Sequence, residues 1–334
     1  MKAVALTGAG KAEILDIAEP ARGEGDVLLR VELVGMCGSD LNSFRGRNAM
    51  VSYPRVIGHE VAATVVEGSA ALAPGTRVTI SPYTNCGRCA SCRRGRVNAC
   101  QYNQTLGVQR DGAMTEFLSV PEQNIYPSAL SLKELCLTEP LTVGMHAVSR
   151  GRVQPGDAVA IFGCGGVGLG AVCGAASRGA RTIAIDLDDD KLEIARLAGA
   201  AELIHSGRDS VHEQLQQMTG GLGPDVVIEA IGLPETFRAA VDEVAFAGRV
   251  IYIGYSKEPV FYETRLFVQK ELDIMGSRNA LPEDFHEVMK ILEQGRFPVE
   301  QAVSTVVQMQ DAATALQEWS DSPRRFTKIM VEIG

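Results

Sequence analysis

The sequence predicts an α/β protein whose middle part is a parallel sheet with helices on both faces, preceded by a β-rich part. Between about residues 146 and 275, short apolar runs of strand length alternate with helical stretches, which is typical of a parallel sheet. Residues 1 to about 145 instead contain strand-like segments separated by Pro and Gly. A glycine-rich turn after the first apolar run of the middle part gives the third observation.

That turn is the clearest motif in the chain. Residues 159–162 form an apolar strand, and residues 169–177 read as a helix of small residues. The turn between them contains Gly163, Gly165, Gly166, Val167 and Gly168. In such a turn the first glycine permits the bend, the second lets a pyrophosphate approach the backbone, and the third lets the helix pack on the strand. The helix N-terminus also offers N–H groups to phosphate.

An acidic residue follows at the position that a dinucleotide site requires. The second strand, 181–185, runs into Asp186, at about the ~20-residue offset of a carboxylate that holds the ribose hydroxyls. Residues 187–190 add acidic side chains and no arginine for a 2′-phosphate, which favours NAD over NADP. The alternative is a membrane span, because 159–176 carries no charge. Its six glycines argue against that alternative.

Composition limits the classes of partner. The chain has 334 residues, which suggests two domains, and 46% of them are hydrophobic, enough for a packed core. A net charge of −9 argues against nucleic acid or an anionic membrane as a partner. The N-terminus lacks a signal-peptide pattern, so we expect a cytoplasmic protein with reduced thiols.

The remaining elements follow in order. In the first part, 27–34, 61–67 and Arg77–Ile80 read as strands, and no long amphipathic helix is predicted. The middle part continues with helices at 191–197, Val211–Met218 and 235–246 and strands at Glu202–His205, 225–229, 249–253 and 272–275. The tail has helices at 283–293 and 311–319 and a strand at 327–333. We expect a catalytic domain at 1–145, a nucleotide-binding domain at 146–275, and a return of 276–334 to the first.

Four of the eight cysteines are spaced as metal ligands. Cys86, Cys89, Cys92 and Cys100 give C-x2-C-x2-C-x7-C. Four thiolates in one loop suit a tetrahedral structural zinc with no open position. The alternative, a redox C-x-x-C pair, does not require four cysteines. We expect Cys136, Cys164 and Cys173, which show no such spacing, to be small core residues.

Three further residues have an ordinary explanation when each is taken alone. Cys37 follows a strand, and by itself it would be a buried thiol. His59 and Glu60 precede another strand, and His59 by itself would be a loop histidine. Glu139 precedes Pro140 and would by itself be a surface acid before a proline turn.

Taken together, these motifs resemble a known family over essentially the whole chain. The chain is similar to zinc-dependent medium-chain dehydrogenases of the polyol (sorbitol) and threonine dehydrogenase branch. The resemblance rests on Cys-Gly-Ser-Asp at 37–40, Gly-His-Glu at 58–60, the four-cysteine segment, Asp-Gly at 111–112 with Glu116, Glu-Pro-Leu at 139–141, the glycine turn and Asp186. Residues 53–60 and 276–279 look most like bacterial hexonate 5-dehydrogenases, which act on L-galactonate or L-gulonate. The resemblance to this family implies a GroES-like catalytic domain and a Rossmann domain.

The resemblance also implies roles in catalysis. Cys37, His59 and Glu60 would hold a catalytic zinc, which is a Lewis acid that lowers the pKa of a bound hydroxyl. Glu139 falls where the family has a fourth, water-linked or exchanging ligand. Ser39 matches the hydroxyl that takes the substrate proton. With the four-cysteine site, the chain would bind two zinc ions and NAD.

Two positions near the metal cysteine bear on orientation and proton transfer. Asp40 matches an acid that orients the histidine ligand. Asn42 stands where relatives often have the histidine that ends the proton relay. Because asparagine is not a base near neutral pH, the proton must leave by another route.

The expected reaction is reversible oxidation of a secondary alcohol, on a polyol or an open-chain sugar acid, to the ketone. Arg278 follows the last strand of the predicted parallel sheet, and we expect it to bind the substrate, since an arginine suits a carboxylate. An interdomain salt bridge is the alternative for Arg278. A threonine-type amino-alcohol dehydrogenase and a non-catalytic nucleotide-binding homologue are the alternative functions. The resemblance suggests a dimer or tetramer.

Overall fold

A computed structural model describes residues 1–334, and their contacts divide the chain into two units. The first unit contains Met1–Glu139 and Val299–Gly334, and the second contains Pro140–Pro298. The tail is therefore shared between the two units, because residues 276–298 stay with the second. One long helix, Leu132–Arg150, crosses the point at which the chain passes from the first unit into the second.

The elements are numbered in chain order. The strands are β1 (Lys2–Gly8), β2 (Lys11–Asp16), β3 (Asp26–Met36), β4 (Arg55–Val56), β5 (Glu60–Glu67), β6 (Arg77–Ile80), β7 (Phe117–Pro121), β8 (Ile125–Pro127), β9 (Ala158–Phe162), β10 (Arg181–Asp186), β11 (Glu202–His205), β12 (Val226–Glu229), β13 (Arg249–Tyr252), β14 (Asp273–Gly276), β15 (Thr305–Gln308) and β16 (Ile329–Glu332). The helices are α1 (Gly38–Phe44), α2 (Leu132–Arg150), α3 (Gly166–Ser177), α4 (Asp189–Leu197), α5 (Val211–Met218), α6 (Pro234–Glu243), α7 (Arg265–Gln269), α8 (Pro282–Glu293), α9 (Val299–Ala302) and α10 (Ala312–Asp321).

The first unit is built on two sheets, as the β-rich pattern predicts. The larger has the order β15-β16-β3-β5-β6-β8, with β7 also paired to β3, and the smaller has the order β2-β1-β4. β3 pairs antiparallel with β5 so that Gly35 lies opposite Glu60. This register brings the end of β3 and the start of β5 to the same edge of the sheet. The core beneath includes Leu29, Ile80 and Trp319.

The second unit contains the predicted parallel sheet, with the order β11-β10-β9-β12-β13-β14. Every neighbouring pair in this sheet is parallel. Because β10 and β12 flank β9 on opposite sides, the strand order reverses at the carboxyl end of β9, where α/β sheets bind ligands. The six strands and the helices α3, α4, α5 and α6 are those that the alternating pattern predicts, within a few residues at their ends. No helix of the protein has the length and apolar character that crossing a membrane requires.

The main departure from the sequence prediction is α2. Residues 1 to about 145 were expected to be β-rich without a long amphipathic helix, yet α2 has 19 residues, and Pro140 lies inside it rather than in a turn. Residues 135–142 of this helix are all buried. A helix segment with no side turned to solvent needs no polar face, so it shows no amphipathic period in the sequence.

Candidate active site

The predicted catalytic ligands converge in the first unit. Cys37 directly follows β3, and His59 directly precedes β5, whose first residue is Glu60. The Cys37 sulfur, a His59 ring nitrogen and a Glu60 carboxylate oxygen all lie within 4.8 Å of one another. A thiolate, an imidazole and a carboxylate form the donor set of a catalytic zinc that keeps one position open.

Asp40 joins the two segments that carry these ligands. Its Oδ2 accepts a hydrogen bond from the backbone N–H of Cys37 at 2.8 Å, and its Oδ1 accepts one from the N–H of Gly58 at 3.4 Å. The sequence prediction gave Asp40 the task of orienting the His59 ring. The structure instead shows it bound to the backbone beside both ligands, and no hydrogen bond reaches the buried Nδ1 of His59.

Two buried polar atoms at this centre have no partner within the chain. They are Nδ1 of His59 and Oγ of Ser39. Buried polar groups are normally hydrogen-bonded, so such atoms point to a ligand or bound group. Burial opposes protonation of His59, but the charges of Cys37, Asp40 and Glu139 raise its pKa well above the ordinary value. The site thus attracts positive charge, which fits a metal cation.

Glu60 has a buried counter-charge that the sequence did not reveal. The Nζ of Lys328, in the segment leading to β16, donates to both carboxylate oxygens of Glu60 at 2.6 Å and to the carbonyl of Met36 at 3.2 Å. Both side chains are buried. Burial raises the pKa of Glu60, and the Lys328 ammonium opposes that rise. A Cβ on Gly35 would lie 2.0 Å from Glu60 Oε2, so this site requires glycine there.

Glu139 lies near the centre but outside the three-residue cluster. It is buried in α2 rather than exposed before a turn, and its Oε1 accepts a short hydrogen bond from the hydroxyl of Tyr83. Burial and the adjacent Glu139 charge raise the pKa of Tyr83 well above its ordinary value, so the hydroxyl keeps its proton. Neither Tyr83 nor Lys328 was singled out in the sequence, because a lone tyrosine or lysine carries no motif.

The four cysteines form a second cluster in the first unit. Their sulfur atoms all lie within 4.8 Å of one another, and Cys89 Sγ is 3.4 Å from Cys92 Sγ and 3.9 Å from Cys100 Sγ. Tetrahedral zinc with Zn–S bonds of about 2.3 Å places its sulfurs about 3.8 Å apart. Hydrogen bonds from Ser91 and the backbone lower the pKa of Cys89 to about 5, which favours the thiolate that binds zinc. No cysteine of the chain is in a disulfide.

The glycine turn of the second unit has the shape predicted for it. Gly163 has a φ of +95°, and a Cβ on it would lie 2.7 Å from Ile231. A Cβ on Gly168 would lie 1.8 Å from the carbonyl oxygen of Gly163, so only glycine lets α3 approach the end of β9. Around Gly165, by contrast, no atom lies within 4 Å of a Cβ position. Gly165 also precedes α3 without a side-chain cap, and this open backbone fits a pyrophosphate.

Asp186 ends β10 and fixes the loop that follows. Its Oδ2 accepts from the N–H of Cys164 at 2.7 Å, and its Oδ1 accepts from Leu187 at 2.7 Å and Asp188 at 3.2 Å. The bond from Cys164 ties the carboxylate to the glycine turn, and the other two fix the residues that follow β10. Since a carboxylate has about four acceptor positions and these bonds use three, Asp186 keeps one position to accept from a ribose hydroxyl.

The other predicted residues lie as follows. Arg278 is exposed and stands two residues beyond β14 in the second unit. Asn42 lies within α1, and its carbonyl accepts from the N–H of Arg47. Cys136, Cys164 and Cys173 are buried, as expected of core thiols.

Comparison with known proteins places the chain in a family. The model of the alcohol dehydrogenase GroES-like domain matches residues 23–130, and that of the zinc-binding dehydrogenase domain matches residues 166–294. The L-galactonate-5-dehydrogenase of Escherichia coli K12 is 33% identical over 83% of this chain and 83% of its own length. The sorbitol dehydrogenase of Bacillus subtilis is 33% identical over 83% of this chain and 81% of its own length.

A solved structure agrees with these relatives. The short chain alcohol dehydrogenase rspB from Escherichia coli CFT073, complexed with NADH, superposes with a TM-score of 0.91 at 28% identity, covering 100% of this chain and 99% of that one. The GroES-like match contains the cysteine–histidine–glutamate cluster, and the zinc-binding dehydrogenase match begins at Gly166, within the glycine turn. The chain therefore belongs to the zinc-binding alcohol and polyol dehydrogenases, oxidoreductases with a GroES-like domain and a Rossmann-type parallel sheet.

Proposed function

We propose that this protein is a zinc- and NAD-dependent dehydrogenase that oxidises a secondary alcohol on a polyol or open-chain sugar acid to the ketone. The observation that carries the proposal is the convergence of Cys37, His59 and Glu60 beside the buried, unpartnered hydroxyl of Ser39. A scaffold protein that had lost catalysis would not need this arrangement.

The cluster is the site that we assign to the catalytic zinc. When bound there, zinc supplies Lewis acidity that lowers the pKa of an alcohol. Cys37 and Glu60 contribute two negative charges, which match a divalent cation. Lys328 places one positive charge against both oxygens of Glu60 and so weakens the donation of that carboxylate. Asp40 keeps the backbone of Cys37 and Gly58 in place through its two hydrogen bonds.

The proton of the alcohol leaves through Ser39. Its Oγ is buried with no partner in the chain, so it is available to accept a hydrogen bond from the substrate hydroxyl. Asn42, which stands one helical turn further along α1 than Gly38, does not take up the proton at neutral pH. The proton therefore passes from Ser39 to solvent through groups other than the side chain at position 42.

The second unit is the site that we assign to NAD. NAD accepts the hydride that the alcohol carbon loses. The Gly163–Gly168 turn offers an open backbone and a helix N-terminus to its pyrophosphate. Asp186 offers a carboxylate to the ribose hydroxyls and repels the 2′-phosphate of NADP.

The substrate class rests on similarity and on one arginine. The relative from Escherichia coli K12 is a dehydrogenase of a hexonate, a molecule with several hydroxyls and one carboxylate. Arg278 is exposed next to the carboxyl edge of the parallel sheet, and its guanidinium suits a carboxylate. A neutral polyol is the second candidate, favoured by the similarity to a sorbitol dehydrogenase.

The test is formation of reduced nicotinamide with a panel of aldonates, neutral polyols and L-threonine. We expect oxidation of at least one aldonate or polyol, no oxidation by Cys37→Ala, and unchanged oxidation by the matched control Cys173→Ala. Oxidation of L-threonine alone would assign the amino-alcohol activity instead. No oxidation of any compound by the zinc-loaded protein would refute the proposal.

We also propose that the protein is a homo-oligomer formed through the second unit. β14 is the last strand of the parallel sheet, and it pairs only with β13. Its backbone edge and the exposed Ile274 are features that proteins usually cover. Light scattering should give at least twice the mass of the chain, and Ile274→Lys should lower it. A monomeric wild-type protein would contradict this assignment.

A further inference from the structure

One carboxylate of the second unit is buried at the carboxyl edge of the parallel sheet and takes no part in the site described above. Glu229 is the last residue of β12, and none of its surface is exposed. β12 pairs with β9, whose carboxyl end leads into the glycine turn. Burying a charge is costly unless the group is hydrogen-bonded, so the partners of this carboxylate indicate its role.

One oxygen of Glu229 fixes the loop that connects β12 to α6, residues 230–233, which we call the β12–α6 loop. Oε1 accepts hydrogen bonds from the N–H of Ile231 at 2.9 Å, from the N–H of Gly232 at 2.7 Å and from the hydroxyl of Thr236 at 2.8 Å. Thr236 lies in the first turn of α6. A single buried acceptor therefore ties both the loop and the start of the next helix to the end of β12.

The other oxygen of Glu229 lies against the segment that follows β13. Oε2 is buried and has no hydrogen-bond partner. A Cβ on Gly254 would lie 2.5 Å from this oxygen and 2.5 Å from the N atom of Gly232, so only glycine lets the two backbones approach here. The N–H groups of Ile253 and Gly254 also donate to the backbone carbonyl of Glu229, at 2.9 Å and 3.2 Å. The side-chain hydrogen bonds of Glu229 are thus all made by Oε1, the oxygen that holds the β12–α6 loop.

The β12–α6 loop lies beside the glycine turn. The N–H of Ala230 donates to the carbonyl of Phe162, the last residue of β9, at 2.9 Å. A Cβ on Gly163 would lie 2.7 Å from Cγ1 of Ile231, and Ile231 remains 44% exposed. The backbone that Glu229 holds in place therefore forms one side of the site that we assign to NAD, at the point where the strand order of the sheet reverses.

We propose that Glu229 is a positioning residue for the dinucleotide, because its Oε1 holds Ile231 and Gly232 in the arrangement that binds NAD. The proposal rests on the assignment of NAD to the second unit under the proposed function, and it is independent of the substrate. What the loop requires is an acceptor at the position of Oε1 rather than a negative charge. An amide oxygen is also an acceptor with two lone pairs, so glutamine can take this place.

Three variants separate the acceptor from the charge. Glu229→Ala removes both, Glu229→Asp keeps the charge on a side chain one methylene shorter, and Glu229→Gln keeps an oxygen at the same reach without the charge. Kd values for NADH and for ADP-ribose, which lacks the nicotinamide, are measured by calorimetry on the zinc-loaded protein. We expect both Kd values to rise about tenfold to a hundredfold in Glu229→Ala and Glu229→Asp, since the loss of hydrogen bonds to a carboxylate corresponds to factors of this size. Glu229→Gln should restore both Kd values to within about threefold of the wild type, because its amide oxygen accepts the same bonds.

Amide hydrogen exchange measures the loop directly. In Glu229→Ala and Glu229→Asp, residues 230–236 should exchange faster than in the wild type, because two amides of the loop lose their acceptor, while unchanged protection of β9 and β10 verifies that the sheet is folded. Glu229→Asp, the smaller change, serves for the same comparison if Glu229→Ala does not fold. Glu193→Ala is the matched control, because the half-exposed Glu193 pairs with Arg196 within α4, and it should match the wild type in both measurements.

Three results would overturn the inference. One is an unchanged Kd for ADP-ribose in Glu229→Ala although the loop exchanges faster, which would limit Glu229 to a structural role. Another is unchanged exchange of the loop in that variant. The third is a Glu229→Gln protein that binds as poorly as Glu229→Ala, which would mean that the charge is required. If the wild type binds neither NADH nor ADP-ribose, the assignment of the cofactor fails, while the exchange of residues 230–236 still decides whether Glu229 holds the loop.

Discussion

Removing the Lys328 ammonium should destabilise the metal-free protein far more than the metal-loaded protein. Lys328 has 6% of its side chain exposed, Glu60 has none, and the Nζ lies 2.6 Å from both carboxylate oxygens. Breaking a buried ion pair by removing one partner costs about 3–5 kcal/mol, because the other charge is left uncompensated. We expect Lys328→Met to lower the free energy of unfolding of the first unit by this amount when the catalytic site is metal-free.

Zinc should offset most of this loss. A divalent cation beside Glu60 compensates the same carboxylate, and loss of the lysine also removes a positive charge that repels the metal. By the thermodynamic cycle, the variant should bind zinc more tightly than the wild type. We expect a zinc Kd lower by about a factor of one hundred, equivalent to about 2.8 kcal/mol.

The assay follows the single tryptophan. Trp319 lies in α10, within the core of the same unit as Lys328, so its fluorescence in a urea titration reports the unfolding of that unit. Each protein is measured with two zinc ions and with zinc at the four-cysteine site alone, as verified by elemental analysis. Lys133→Met is the control, because Lys133 pairs with the exposed Glu300 and its loss should cost less than about 1 kcal/mol. Equal destabilisation of Lys328→Met with and without the second zinc, or weaker zinc binding, would refute the reasoning.

Four further predictions concern the four-cysteine site, the cofactor and the substrate. Cys86→Ser should reduce the zinc content from two to one per chain and destabilise the protein, and unchanged elemental analysis would exclude the four-cysteine site. In chelator-treated protein at pH 7, iodoacetamide should alkylate Cys89 before Cys92. The pKa of Cys89 is about 5 and that of Cys92 is about 11, so only Cys89 is mostly thiolate at this pH. Peptide mass spectrometry that shows the reverse order of alkylation would contradict this prediction. Asp186→Ser should lower the ratio of kcat/KM with NAD to kcat/KM with NADP. Comparable kcat/KM values for the two cofactors in the wild type would contradict the prediction that Asp186 selects NAD. Arg278→Ala should raise KM for an aldonate more than for a neutral polyol of the same length, and equal effects would mean that the arginine does not bind the carboxylate.

The parallel sheet could be predicted because its strands and helices are signalled locally. One short segment contains the strand at 159–162, the glycine turn and Asp186. At several of its positions the backbone conformation or the available space admits only certain residue types. The structure shows those requirements directly: Gly163 has a positive φ, and no side chain fits at Gly168. The four cysteines are likewise close in sequence, so their spacing alone indicates the cluster.

The contacts that span the chain could not be predicted in this way. Lys328 meets Glu60 across 268 positions, and Tyr83 meets Glu139 across 56, so no local pattern connects either pair. The helix α2 was missed in the sequence because its residues 135–142 are buried on all sides and it contains Pro140, and both features hide a helix from sequence analysis. The sequence placed Asp40 beside the metal ligands but predicted that it orients the His59 ring. In the structure its two carboxylate oxygens accept hydrogen bonds from the backbone N–H groups of Cys37 and Gly58.

The most direct test of the central claim is a zinc titration followed by the formation of reduced nicotinamide. Protein that carries zinc only at the four-cysteine site is mixed with NAD and the best substrate of the panel, and zinc is then added in steps. If Cys37, His59 and Glu60 hold the catalytic metal, activity is absent at one zinc per chain, rises in proportion to added zinc and saturates at two. Full activity at one zinc per chain, or activity restored by zinc in Cys37→Ala, would contradict the claim.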